Sequence, residues 1–195
     1  MRACVVVFVV VAVALSACVS ERTSQSREVR PMNIDEFWEI IDHVHRESAG
    51  EMDRKCALLQ AELDRRTADE VHGFFTRFDT LHDEAYTWPL WGAAYVINGG
   101  CGDDSFSDFR ATLISMGRAD FEKALRDPDS LADLPGVGEQ MFYEGFQYVA
   151  SAVYEKKTGH DPVRSAEAPS DPAGEPWDED EVNSMFPRLA SRFPQ

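Results

Sequence analysis

Two places in this chain of 195 residues gather residue types able to do chemistry. The first is the turn Asn98-Gly99-Gly100-Cys101-Gly102-Asp103-Asp104. Its three glycines permit positive φ and close backbone approach, and a glycine-rich turn leading into a helix can present N–H groups to an anion. The two aspartates stand where a phosphate would sit and would repel it, and the lysine of a phosphate-binding loop is missing. Two uses remain open. Asp103 and Asp104 would bind a cation or a basic group beside the thiol of Cys101, as the site of an enzyme. Alternatively, the turn is a joint in which one helix ends on glycine and Asp103, Asp104 or Ser105 caps the next. Arg110, one turn beyond Phe106, is expected to bridge to Asp103 or Asp104 as a fixed ion pair.

The second place is Leu15-Ser16-Ala17-Cys18. It follows a short positive start, Met1-Arg2, and an unbroken apolar run over residues 3–15. That run is too short for a membrane span, which needs about 20 residues, and fits the apolar segment of a signal peptide. The small residues before Cys18 are similar to a bacterial lipobox, in which the thiol receives a diacylglyceryl group and cleavage falls just before it. The expected organisation is a signal peptide over 1–17, then lipidated Cys18 with a tether through residue 31. Residues 19–30 are rich in Ser, Glu and Arg, cannot build a core, and as a flexible tether reach roughly 20 Å. Two or more acyl chains give stable anchoring, so the partner implied is a membrane and the location the cell envelope, outside the cytoplasm. A translation start at Met32 would instead leave a cytoplasmic protein.

The remaining polar groups are less specific. His72 and His82 are ten residues apart and do not share a helix face, and His43 and His45 diverge. The helical i, i+4 histidine pair typical of zinc sites is absent, as are Gly-x-Ser-x-Gly and any recognisable Cys–His pairing. These histidines, with Asp83 and Glu84, read as solvated polar faces. The expectation is therefore no metal and no cofactor, although a site assembled from several helices is invisible to sequence. Cys56 and Cys101 either pair in an oxidising compartment or stay as separate thiols, at least one of them in the core. The formal net charge is -16, from 35 acidic and 19 basic residues. This excludes nucleic acid, whose phosphates need clustered Lys and Arg, and leaves a basic protein partner possible.

The elements that must position these residues are helical. Apolar spacing from Asn33 onward has the helical period, with no sustained alternation of the strand kind. Asn33 with Glu36 and Thr67 with Glu70 read as capping boxes. Inward faces follow: Phe37, Trp38, Ile41 and Val44 on a first helix, then Met52, Cys56, Leu59 and Leu63 on a second. Val71, Phe74, Phe75, Phe78, Leu81 and Ala85 mark a third. Pro89 opens a fourth helix that stops at Gly99-Gly100. A fifth buries Phe106, Phe109, Leu113 and Met116, and Gly117 ends it. A sixth holds Phe121 and Leu125. Residues 127–138 read as a loop, and 139–158 as a seventh helix closed by Gly159. Residues 160–176 read as a linker or strap. Trp177, Met185, Phe186, Leu189 and Phe193 are expected to pack back on the bundle behind the acidic run 178–181. The fold class is all-α: one compact domain of about seven helices over 32–160, with 161–195 as its linker and packing segment.

Trp88-Pro89-Leu90-Trp91-Gly92-Ala93-Ala94-Tyr95, Gly99-Gly100-Cys101, Asp103-Asp104-Ser105-Phe106, Phe109-Arg110 and Asp127-Pro128-Asp129-Ser130-Leu131-Ala132, with the opening Phe37-Trp38, resemble the bacterial domain family of unknown function DUF4240. The resemblance covers roughly Met32 to the C-terminus and is most specific from Trp91 to Phe106. It implies a helical domain. The family brings no established activity, so no catalytic role is carried onto these residues. Many members are similar to cytosolic proteins without an export signal, from which this N-terminus departs. The function expected is a binding or interaction module of unknown ligand, with an enzyme at residues 98–104 as the alternative.

Overall fold

A computed structural model describes residues 30–194. The signal peptide, Cys18 and the tether expected up to residue 29 lie outside the described residues. The architecture is all-α. Among the described residues there is no β-strand, and one isolated parallel bridge joins Thr87 to Ala173. No helix among them is long and apolar enough to cross a membrane.

Among the described residues, seven helices have nine residues or more: α1 Ile34–Ser48, α2 Met52–Asp64, α3 Ala68–Glu84, α4 Trp88–Asn98, α5 Asp103–Ser115, α6 Arg118–Arg126 and α7 Val149–Thr158. Their starts follow local chemistry. The reciprocal capping box at Thr67 and Glu70 forms as expected. At α1 only half of one forms. Asn33 Oδ1 accepts from the N–H groups of Asp35 and Glu36, while the Glu36 carboxylate is drawn away to Arg66, 2.7 Å distant.

Helix α5 runs through the middle of the domain and is buried on nearly all sides, from Phe106 to Ser115. It packs against α1, α3, α4 and α6. Phe37, Phe74, Phe106, Phe109, Phe121 and Phe146 are fully enclosed around it. Full burial of such a side chain stabilises by about 1.5–3 kcal/mol, so these rings dominate the core.

The stretch expected as one long seventh helix divides. Residues Glu139–Phe142 and Glu144–Tyr148 are short 3-10 turns, and regular α-helix begins only at Val149. The break falls at Tyr143, which is extended at φ -86 and ψ 110. Its ring lies over Gly145, where a Cβ would stand 2.7 Å from a ring carbon, and its hydroxyl donates to Asp53 at 2.8 Å. Upstream, the expected loop contains a 3-10 helix over Pro128–Asp133.

The C-terminal segment packs back through Trp177, Phe186, Leu189 and Phe193, while Met185, expected inward, stays exposed. Short helices α8 (Val182–Met185) and α9 (Pro187–Arg192) bury Val182, Phe186 and Leu189. The Asp129 carboxylate accepts the N–H groups of Arg188 and Leu189 at 3.1 and 2.9 Å. Trp177 and Phe186 close on Gly92 of α4, where any Cβ would come within 2.8 Å of the Phe186 ring. Between α7 and this segment, residues 160–176 form a strap over α3. His72 Nε2 bonds the Val163 carbonyl at 2.9 Å, and Arg164 clamps Asp79 and Asp83 at 2.8 and 2.6 Å.

Candidate functional site

The turn 98–104 is a joint. Gly99 closes α4 in the left-handed conformation and donates to the Tyr95 carbonyl. Trp91 Nε1 donates to the Cys101 carbonyl at 2.8 Å, and Asn98 Nδ2 to that of Gly100 at 2.8 Å. The N-cap of α5 is Gly102, not Asp103, Asp104 or Ser105. The aspartates fall one residue later, exposed in the first turn without a side-chain cap bond, where they complement the helix dipole. Cys101 and Cys56 are both free, half-buried thiols. Burial pushes the Cys101 thiol up to about 12, so it carries no thiolate at neutral pH and is a poor nucleophile.

Asp103 and Asp104 diverge. Asp103 faces a small cleft of about 290 Å³ beneath the strap, with His82, Tyr86, Arg110 and Arg164. Asp104 faces a separate polar hollow with Asp108, Glu144 and exposed Tyr148. The expected ion pair from Arg110 to either aspartate does not form. Arg110 is buried and turned toward the end of α3, where Nη1 donates to the His82 carbonyl at 2.9 Å. Its guanidinium lies 4.6 Å from the Tyr86 ring centre and 5.0 Å from that of Phe106, a cation–π contact with both rings. Asp103 faces the same cleft from the start of α5 without an ion pair to the guanidinium. Burial brings Arg110 down to about 10, still fully charged at neutral pH.

His72 and His82 are not solvated, contrary to the sequence reading. His72 is buried against Tyr154 and holds the strap. His82 Nε2 donates to the Ser107 carbonyl at 3.0 Å. Burial first, and then Arg110, lower its pKa to about 4 and keep it neutral. Burial also outweighs the attraction of Arg164 at Asp79 and pushes that carboxyl up to about 6. The polar groups of this cleft are thus spent on one another and on main chain. Among the described residues, no three His, Cys, Asp or Glu side chains converge as a metal site would require.

A different hollow combines an open volume with an unsatisfied charge. About 480 Å³ in size, it lies where α1, α2, α5, α6 and the 135–141 segment meet. Lys55 projects into it from α2 and is only 2 % exposed. Its Nζ donates to Ser115 Oγ of α5 at 3.0 Å, and the Ser115 hydroxyl in turn donates to the Thr112 carbonyl at 2.6 Å. No carboxylate pairs with the ammonium. Burial lowers Lys55 to about 8, against weak opposing pulls from Cys56 and Asp120. His45, across the hollow on α1, has a buried Nδ1 with no hydrogen-bond partner. Burial, and then Lys55, lower its pKa below the ordinary histidine value. Met52, Met116 and Met141 supply the apolar wall.

Sequence reasoning passed over Lys55 and Ser115 and read His45 as part of a solvated polar face, although its Nδ1 is buried. One signal was present. Lys55 stands three residues after Met52 and four before Leu59, on the inward stripe of α2, where a charge is out of place. Nothing local marks Ser115, sixty residues away, as its partner.

The chain matches the family model described as a protein of unknown function, DUF4240, over residues 32–156. The match contains every residue of the three sites above that lies on α1 to α7, and ends before the strap and the C-terminal segment, short of the extent the resemblance suggested. No curated protein and no solved structure matches the chain. Because the matched residues make up more than half of its length, the chain belongs to the DUF4240 family of proteins of unknown function.

Proposed function

We propose that this protein is a binding module, held at the cell envelope by lipid on Cys18, and that the hollow over Lys55 is its ligand site. The observation that carries this reading is Lys55 itself: a buried ammonium with one neutral hydrogen-bond partner and no counter-ion, facing a cavity of about 480 Å³. Burying an unpaired charge is costly, and ligand pockets of roughly this size place a few convergent polar groups on apolar walls. The turn 98–104 has less to recommend it as an enzyme site, since its thiol is protonated and its aspartates point into different hollows. A basic partner, if one binds, has its best complement at Asp104, Asp108 and Glu144, where Tyr148 stands exposed and no Lys or Arg lines the wall.

The test is a thermal-shift screen of small organic molecules on the full chain, run beside Lys55→Met and Asp103→Asn. Stabilising compounds should lose their effect with Lys55→Met and keep it with Asp103→Asn. The reverse pattern would return the site to the glycine-rich turn.

A further inference from the structure

We infer that the hollow over Lys55 takes a small organic carboxylate with an apolar body, its oxygens on the ammonium of Lys55 and its chain along Met52, Met116 and Met141. This rests on the reading of the hollow as the ligand site. An ammonium has three N–H donors. Ser115 Oγ accepts one, and its own proton is committed to Thr112, so it adds nothing more. The remaining Lys55 donors and the unmatched Nδ1 of His45 border the same space. A carboxylate supplies the missing counter-charge and two acceptor oxygens for the free N–H donors of Lys55.

The surroundings choose among anions. The charged and titratable groups around Lys55 and His45 are Asp42 and Arg46 from α1, Glu51 just before α2, Cys56 from α2, and Asp120 from α6. Glu51 and Asp120 would oppose a phosphate dianion more strongly than a single carboxylate. The three methionines, with Ala49 and Pro135, offer contact to an apolar chain that phosphate lacks. A carbonyl compound condensing with the amine is less well served. With Lys55 at about 8, about nine-tenths of it is protonated at pH 7 and presents a charge rather than a lone pair.

The experiment is titration calorimetry on the full chain in a non-ionic detergent, with sodium hexanoate, hexan-1-ol and inorganic phosphate as probes. Hexanoate should bind saturably, one per chain, and hexan-1-ol and phosphate at least about tenfold more weakly, as loss of a charge-assisted contact implies. Lys55→Met should weaken hexanoate by about tenfold or more, with the helical circular dichroism retained. Affinity should be flat from pH 6 to 7.5 and fall about tenfold per unit above pH 8, as Lys55 loses its proton. If hexan-1-ol or phosphate matches hexanoate and still depends on Lys55, the carboxylate is wrong while the hollow stands. If no probe binds in a Lys55-dependent way, both readings fall.

Discussion

Lys55 Nζ and Ser115 Oγ, 3.0 Å apart, join the second helix to the central fifth one inside the core. The hydroxyl is neutral, so this contact orients the ammonium without neutralising it. A buried cation in that state burdens the fold, and the burden is measurable.

In the folded chain Lys55 titrates at about 8, against 10.5 for the free side chain. Below pH 8 both states are charged and the folded one carries the cost of the buried charge. Between about 8 and 10.5 the unfolded chain still holds a proton that the folded chain has released, so stability rises with pH. The full rise is about 3 kcal/mol at 1.36 kcal/mol per unit. Lys55→Met, which fills the space without charge, should be at least as stable as the parent at pH 7. Its advantage should shrink by about 3 kcal/mol between pH 7.5 and 10.5. Urea unfolding across that range checks this, and an advantage independent of pH would count against an uncompensated Lys55.

Gly92 is where the C-terminal segment meets the domain. A methyl group there collides with Phe186 at 2.8 Å and with Trp177 at 3.0 Å. Gly92→Ala should cost about 1–3 kcal/mol, as overpacking does, and release residues 177–193. Limited proteolysis should cut the variant within 160–186 while sparing the helical part. Equal protease resistance in variant and parent would show that this packing is not tight.

How much of this was legible in the sequence depended on the range of the interactions. Helix positions followed from local signals: Thr67 with Glu70, Pro89, Gly99 and the spacing of Phe74, Phe78 and Leu81 each act within a few residues. The seventh helix was overdrawn: it breaks at Tyr143, whose hydroxyl reaches Asp53, ninety residues away, a contact invisible to local spacing. The candidate site failed for the same reason. Residues 98–104 looked functional because glycine and aspartate cluster visibly there, yet a helix end followed by a helix start needs those same residues. Arg110 and His82 find partners across helices, so their expected pairing and solvation were both misjudged. Lys55 was visible only as a charge on an apolar stripe, and its meaning depends on the absence of a carboxylate near it in three dimensions.

The anchor makes a separate prediction. Cys18→Ala removes the sulfur that would carry the lipid. The variant should carry no lipid and keep an uncut N-terminus, read by mass spectrometry of the intact chain, with the domain's thermal stability unchanged. A lipid still attached to Cys18→Ala, or cleavage before residue 18 as in the parent, would remove Cys18 from the proposal without touching the hollow.

The most direct measurement of the central claim is the titration of Lys55 itself. The chain has four lysines, at 55, 123, 156 and 157, so carbon-13 labelling of lysine Cε gives four signals, with Lys55→Met identifying one. The Lys55 signal should titrate near pH 8 in the free protein and move upward on addition of hexanoate, as a bound anion favours the charged form. A midpoint near the ordinary lysine value of about 10.4, unmoved by hexanoate, would mean that Lys55 already has its counter-ion and that the hollow is not the site.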